Sequence, residues 1–384
     1  MDFRLTPEAQ EFYDEVCAFF DEHLDAETIA REERTGDGFD RAFHEALAER
    51  GWVAADWPKK FGGQERDAHE MYVLDQEFLR RGCPRNTSVT TGLVGNTLRV
   101  VGTERQKREL LPGIASGRIV ISLGYSEPQA GSDVAAAQTR ARREGDHWRI
   151  DGQKMFTTGA HLTDYIFLLA RSDASGGKRD GLTMFLVPTD SEGFEAQAVP
   201  TLGGERTNLS FYSGVRVPDW LRVGEVDGGW DVMKVALSLE QGVGFSGSAE
   251  TLHRRALEWA ERAGRLDDPL VRERLARTAL NAEVGKLLEQ RAVWMTAEGR
   301  PMRAEGPMCK LFTSEALIED AGSLLDMLGP DALESGGGPT SPAAAAVEFF
   351  QRYAQGTAIY AGTSEIMRSL IAEQGLGLPR SRSG

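Results

Sequence analysis

The run from Ile119 to Val217 is β-rich and lies between two longer stretches that read as helical, and no other feature constrains the fold as strongly. Within it, Ile119–Tyr125, Trp148–Ile150, Tyr165–Ala170, Thr183–Val187 and Leu209–Val217 carry strand-like residues. Clusters of Gly, Asp, Ser and Pro separate them, including the loop Ser172–Gly177. Before it, Pro7 to His23 shows a helical stripe at Phe12, Val16, Phe19 and Phe20, with Thr6 as N-cap and Pro7 at the first position. Phe43, Leu47 and Trp52 lead a second helix into the turn Trp57–Gly63. Others are expected from about Met71 to Arg81 and from Glu104 to Leu111, before Pro112. After Gly228 and Gly229 the chain is helical again to about Gly375, with interruptions at Gly264–Pro269 and Glu334–Pro342. The expectation is an α+β chain, mostly α. It divides into an N-terminal helical domain (residues 1–118), a central β domain (119–228) and a C-terminal helical bundle (229–384).

A chain of 384 residues can bury a sizeable core, and 41% apolar with 27% charged residues is ordinary for a water-soluble protein. No apolar run reaches the length of a membrane span, and Met1-Asp-Phe-Arg starts no signal peptide. Cys17, Cys83 and Cys309 are too scattered for a metal or disulfide pattern, which fits a reducing cytoplasm. A net charge of −15 argues against nucleic acid and anionic membrane as partners, though a local basic patch can still hold a small anion.

Two polar loops stand out in the β-rich block. The first is Tyr125-Ser-Glu-Pro-Gln-Ala-Gly-Ser-Asp133, with Ser126, Ser132 and a glycine that permits close approach. The second is Gln153-Lys-Met-Phe-Thr-Thr-Gly159, with the aromatic face of Phe156 beside Thr157 and Thr158. Trp148-Arg-Ile-Asp-Gly152 between them reads as a strand and turn, which would set the loops side by side at one end of a sheet. Such a pair can clasp one flat cofactor. Each loop alone favours the plainer reading of an ordinary polar hairpin loop, its hydroxyls bonded to nearby backbone.

The paired loops resemble the two flavin-contacting segments of the acyl-CoA dehydrogenase family. Gly102-Thr-Glu-Arg-Gln-Lys107, Leu111-Pro-Gly-Ile-Ala-Ser-Gly117 and Tyr360-Ala-Gly-Thr-Ser-Glu-Ile-Met-Arg368 resemble other segments of that family, in the same order. The resemblance spans nearly the whole chain. It implies a helical domain, a β-barrel-like domain and a four-helix C-terminal bundle. It also implies an FAD-dependent enzyme of lipid metabolism that takes a proton from the carbon α to a thioester and passes a β-hydride to flavin. An acyl-CoA or acyl-carrier thioester would be the substrate, an electron-transfer flavoprotein the acceptor, and a homo- or hetero-oligomer (dimer or tetramer) the assembly. By the same resemblance Tyr125, Ser126, Ser132, Phe156, Thr157, Thr158, Gly362, Thr363 and Glu365 contact the cofactor, and Ser132, Gln241 and Gly362 the substrate. Trp57-Pro, Phe61-Gly-Gly63, Gly329-Pro-Asp-Ala-Leu333 and Gly375-Leu-Gly-Leu-Pro379 look like members that handle bulky acyl chains.

The chain departs from the family pattern at the base. Many members carry the proton-abstracting Glu directly before the Gly-Thr of the C-terminal signature, and here that position is Ala361. Glu240 matches the alternative position used by other members, among apolar Leu237, Leu239 and Val243, with Gly242, Gly244 and Gly247 leaving room beside the helix. A carboxylate in such surroundings gains basicity suited to neutral pH. Glu365 is the second candidate. The family's diphosphate-binding Arg-x-x-Phe-Gly run is replaced by Ala260-Glu-Arg-Ala-Gly264, where Arg262 or Arg265 could substitute. Asp326 and Gly329-Pro330 also differ from the usual pattern, and Gln241 stands where most relatives have Arg. Two other functions therefore remain open: a weakly or non-catalytic subunit of a hetero-oligomer, and an oxygen-using flavoenzyme on the same fold.

Overall fold

The computed structural model describes residues 3–239, 244–333 and 342–380. Helix α1 (Pro7–His23) starts where Thr6 Oγ1 accepts the Ala9 N–H at 3.1 Å, with Pro7 opening the first turn. Its buried face, Phe12, Val16, Phe19 and Phe20, packs edge-to-face with Trp52, Phe43 and Phe78. Next come α2 (Ala26–Thr35), α3 (Arg41–Glu49), α4 (Ala68–Arg81) and α5 (Asn86–Val101). The run expected to stop before Pro112 continues as α6 (Glu104–Ala115). A proline removes one backbone donor, but a capping box between Thr103 and Gln106 and the burial of Leu110, Leu111 and Ile114 hold the helix through it. Gln106, fully buried, also donates to the carbonyls of Trp220 and Arg222 at 2.9 and 2.7 Å, tying α6 to the β domain.

The β domain is one sheet of β1 (Ile121–Gly124), β2 (Arg140–Glu144), β3 (His147–Lys154), β4 (Tyr165–Arg171), β5 (Leu182–Pro188), β6 (Phe194–Pro200), β7 (Arg206–Pro218) and β8 (Arg222–Val223). The order is β6-β7-β3-β2-β4-β5-β8, with β1 parallel to β4. Ile166–Ala170 and Leu182–Val187 are buried along their length, so both read as continuous apolar runs. β1 is fixed from the helical side: Thr91 Oγ1 accepts the Ile121 N–H at 2.8 Å, and Thr90 Oγ1 donates to the Ile121 carbonyl at 2.8 Å.

The C-terminal helices are α7 (Gly229–Leu239), α8 (Ser246–Arg262), α9 (Pro269–Ala297), α10 (Glu305–Leu328), α11 (Pro342–Thr357) and α12 (Ser364–Leu370). The break at Gly264–Pro269 was expected. Those at Gly244–Phe245 and between Glu298 and Ala304 were not. Leu252, Ala256, Leu317, Leu324, Val347 and Ala354 form the core between α8, α10 and α11.

Candidate functional site

The two polar loops do lie side by side, and a buried ion pair holds them there. The Met155 N–H donates to the Ser126 carbonyl at 2.9 Å. Beneath that bond, Lys154 Nζ donates to Glu127 Oε1 at 2.8 Å and to the Tyr125 carbonyl at 3.1 Å. The two side chains are 0% and 2% exposed. The Glu127 carboxylate also accepts from the Thr139 and Gln138 N–H groups and from Gln129. Burial alone would push its pKa up, but the Lys154 ammonium and these N–H groups hold it below the usual carboxylate range. The chain does not turn at Gly152. β3 runs on to Lys154, opposite Ser210; the extra residue of the bulge beside Ile150/Asp151 is in β7, so β3 keeps its alternation and Lys154 points inward with Trp148 and Ile150. A lone lysine near the end of a strand with Trp148 and Ile150 on its buried face was the available signal; its partner lies too far along the chain to be inferred from spacing.

In the second loop Phe156 is 58% exposed and sits at φ 61°, a left-handed conformation that a bulky residue rarely adopts. Its neighbours hold it there. The Thr157 N–H donates to the Asn208 carbonyl at 2.9 Å, and Asn208 Nδ2 donates to the Thr157 carbonyl at 3.0 Å. The Thr157 and Ser210 hydroxyls bond at 2.9 Å. Thr157 is thus fully buried, and its side chain has no surface left for a cofactor, contrary to expectation. Thr158 is half-buried, its hydroxyl 3.0 Å from that of Thr207, and its carbonyl accepts from Ser122 at 2.7 Å. A Cβ at Gly159 would come within 2.4 Å of Thr87 Oγ1, so a side chain there would push the loop outward.

At the far end of the first loop Ser132 is exposed and Asp133 pairs with Lys178 at 2.8 Å. Arg171 fixes this corner by donating to the carbonyls of Ala135, Ala137, Lys178 and Asp180 at 2.5–3.3 Å. An outward aromatic in a held loop with hydroxyls on both loops suits a flat heteroaromatic ring.

In the C-terminal signature, Ala361 at φ 52° and Gly362 at φ 89° form a left-handed turn. The buried Lys310 donates to the Gly362 carbonyl at 2.6 Å. Thr363 caps α12 through the Ile366 N–H, and Glu365 is exposed. The helix α11 before this turn docks on the β6–β7 turn, where Arg352 donates to the Leu202 carbonyl at 2.9 Å, a few residues from Thr207. Glu240 and Gln241 lie outside the described residues. Of their expected surroundings, Leu237 and Leu239 are 38% and 43% exposed rather than buried. Gly244 and Gly247 do not leave open space either. A Cβ at Gly244 would lie 2.0 Å from the Glu289 carboxyl, and one at Gly247 2.7 Å from Leu79 Cβ, so these glycines admit protein. Glu289 was not foreseen. It is almost wholly buried, and burial pushes its pKa up against the donors from Ser246 and Gln76. Arg265 is engaged with Asp268 at 2.6 Å and Arg262 is exposed at the end of α8. Trp259 Nε1 donates to Asp331 at 3.0 Å, which ties together the residues that adjoin the altered 260–264 and 326–330 segments.

Three family models match the chain: "Acyl-CoA dehydrogenase, N-terminal domain" over residues 6–118, "middle domain" over 122–212 and "C-terminal domain" over 227–376. Acyl-CoA dehydrogenase FadE26 of Mycobacterium tuberculosis is 33% identical, over 99% of this chain and 100% of its own length. IpdE1 of the same organism, also an acyl-CoA dehydrogenase, is 32% identical over 98% and 100%. Among solved structures, the Tcur3481-Tcur3483 steroid ACAD superposes with a TM-score of 0.89 at 36% identity, covering 99% of this chain and 100% of that one. The ChsE4-ChsE5 complex from Mycobacterium tuberculosis superposes with a TM-score of 0.90 at 33% identity, covering 100% of each chain.

Proposed function

The chain belongs to the acyl-CoA dehydrogenase family and is an oxidoreductase of that kind, and on that premise we propose that it uses FAD to introduce an α,β double bond into a bulky acyl thioester, with Glu240 as the base. The observation that carries the cofactor assignment is the exposed, left-handed Phe156, held beside Ser126 by the Lys154–Glu127 pair. When bound, the flavin supplies the acceptor for the hydride leaving the β carbon.

The chain's own residues supply the rest. Tyr125 and Ser126 offer backbone N–H and hydroxyl donors to the polar edge of the ring, the usual means of stabilising charge that develops there. Phe156 covers one ring face, and Thr158 offers its hydroxyl to the ring's centre. Thr157 acts through the loop, by anchoring it from below. Thr363 and Glu365 would meet the nucleotide end of the cofactor. Ser132, Gln241 and Gly362 would meet the thioester. Ala361 has no proton-accepting group, which leaves Glu240 to take the α proton.

The substrate class rests on similarity to a chain named as a steroid ACAD, and we extend it to a bulky polycyclic acyl group. The names of two neighbours describe two-protein assemblies. Together with the altered 260–264 and 326–330 segments, this supports a hetero-oligomer with a sister subunit, in which not every chain holds a full FAD site. An electron-transfer flavoprotein would then take the electrons onward.

The test is anaerobic mixing of the yellow holoenzyme with a panel of acyl-CoAs while flavin absorbance is followed. Glu240→Gln keeps size and hydrogen bonding but removes the basic lone pair. It is expected to slow bleaching by about a hundredfold or more, with substrate binding largely kept. Bleaching at the wild-type rate would remove Glu240 from the reaction.

A further inference from the structure

A histidine closes a ring of polar contacts beside the second polar loop. His161 lies two residues past Gly159, is 16% exposed, and presents its two ring nitrogens to different partners. Nε2 meets Asp37 Oδ1 at 2.9 Å, and Nδ1 meets Asn208 Nδ2 at 3.3 Å. Arg206 Nη2 donates to Asn208 Oδ1 at 3.5 Å, and Arg206 Nη1 stands 3.6 Å from Asp37 Oδ1. Asn208 has no exposed surface, and its amide has one workable orientation. Nδ2 also donates to the Thr157 carbonyl at 3.0 Å, so turning the amide round would set oxygen against that carbonyl and NH2 against the Arg206 guanidinium.

With Asn208 as donor, His161 Nδ1 has to accept, and the ring proton sits on Nε2, toward the Asp37 carboxylate. The imidazole is therefore neutral. A second proton, on Nδ1, would place donor against donor and press Asn208 away. The loop hangs on Asn208 from both sides of Thr157. The Asn208 backbone carbonyl accepts the Thr157 N–H at 2.9 Å, and its side chain returns the bond to the Thr157 carbonyl. The preceding residue on β7, Thr207, has its hydroxyl 3.0 Å from that of Thr158.

We propose that neutral His161 is a positioning residue for FAD: it holds Asn208, and through it Thr157, so that protonating the ring frees the Phe156–Thr158 loop and releases the cofactor in acid. This rests on that loop being a flavin contact. Burial lowers the ring below its ordinary 6.5, with Arg206 acting in the same direction and Asp37 opposing both. A histidine lowered in the fold contributes in full above 6.5, and the contribution is lost as pH falls through the lowered value. The other charged groups nearby do not reproduce this. From α3, Arg41 donates to the neighbouring Leu162 carbonyl at 3.3 Å and stays charged throughout. Behind Asp37 stand Glu205 and Glu32; Glu32 is raised to about 7, so its protonation tightens the junction as pH falls, the opposite sign.

The test follows FAD release from the holoenzyme, by the fluorescence of the freed cofactor, between about pH 5 and pH 8, with apoprotein melts alongside. Wild-type release is expected to quicken below 6.5. His161→Leu removes the acceptor and is expected to release FAD about tenfold faster at about pH 8, the usual effect of stranding one buried donor. His161→Asn sets an amide oxygen near the place of Nδ1 and cannot titrate, so it is expected to stay within about threefold of wild type at about pH 8 and to lose the acid-dependent part. Release from His161→Leu at the wild-type rate, or an acid limb as steep in both variants as in wild type, would overturn the role. Should the melts show that His161→Leu does not fold, the pH profile of His161→Asn decides alone. Phe156→Ala keeps the two readings apart. It is expected to speed release in the wild-type background; if it leaves release unchanged, the flavin loop is refuted first and the role of His161 falls with it.

Discussion

Burial pushes Lys154, a side chain with no exposed surface, down to about 8, and it keeps its charge at neutral pH because Glu127 and the Tyr125 carbonyl replace the water it has lost. A buried pair of this kind adds little over a well-packed apolar pair, but removing one member strands the other. Lys154→Met is therefore expected to destabilise the protein by about 3–5 kcal/mol and to loosen the flavin, since the Ser126–Met155 seam loses its support. Adding Glu127→Gln should recover part of the stability. Thermal melts with the ratio of flavin to protein absorbance check both, and a Lys154→Met protein as stable and as yellow as wild type would refute the clamp. The pair also sets an acid limit. Glu127 titrates below its ordinary 4.5 in the fold, so its contribution is complete above that value and is lost as pH falls through the lowered one. Lys154→Met should abolish that acid-dependent loss.

At the scale of elements, the loop between α2 and α3 meets the β6–β7 turn at a crowded acidic junction. The Arg206 N–H donates to the Gly36 carbonyl at 2.7 Å, and Asp37 faces His161 at 2.9 Å and Arg206 at 3.6 Å. Glu32 is pushed up to about 7, chiefly by burial, with Asp37 and Glu205 repelling its charge and Gly38 opposing the rise. A carboxyl raised in the fold contributes most below its unfolded value of 4.5, and that contribution is lost as pH climbs through 7. Glu32→Gln should be close to neutral at pH 4.5 and raise the melting temperature by about 1–2 °C at pH 8. An equal shift at both values would show that charge at this junction is not responsible. Such junctions explain what could be read from sequence. The helix–sheet–helix order and the apolar strands β4 and β5 were legible because periodicity and composition are local. β2, rich in arginine, and β6, mostly exposed, gave no apolar pattern. Pro112 misled because packing outweighs one lost donor. The paired loops were legible as a pair, but not the Glu127–Lys154 clamp, nor the buried Glu289 that turns Gly244 from open space into a tight contact. Both join residues distant in sequence.

At the scale of the whole molecule, apolar surface remains uncovered on the C-terminal bundle. Leu280 and Leu287 on α9 are 63% and 42% exposed and lie seven residues apart, on one helix face with the half-buried Val284 between them. On α11, Val347, Phe350 and Ala354 fill the core while Phe349 stays outside. We expect an apolar stripe this exposed to be covered by a second chain, although the net charge of −15 opposes association. Leu280→Glu is expected to leave the fold and melting temperature of the isolated subunit almost unchanged, because the side chain touches little in its own chain. In the assembly it would bury a charge, and light scattering should show dissociation to a smaller species. The hetero-oligomer reading sharpens the outcome. Expressed alone, the chain should hold less than one FAD per subunit, and co-expression with a sister chain of the family should raise both the mass and the flavin content together. A monomer carrying one FAD per chain, unaffected by Leu280→Glu, would refute both the interface and the shared cofactor site.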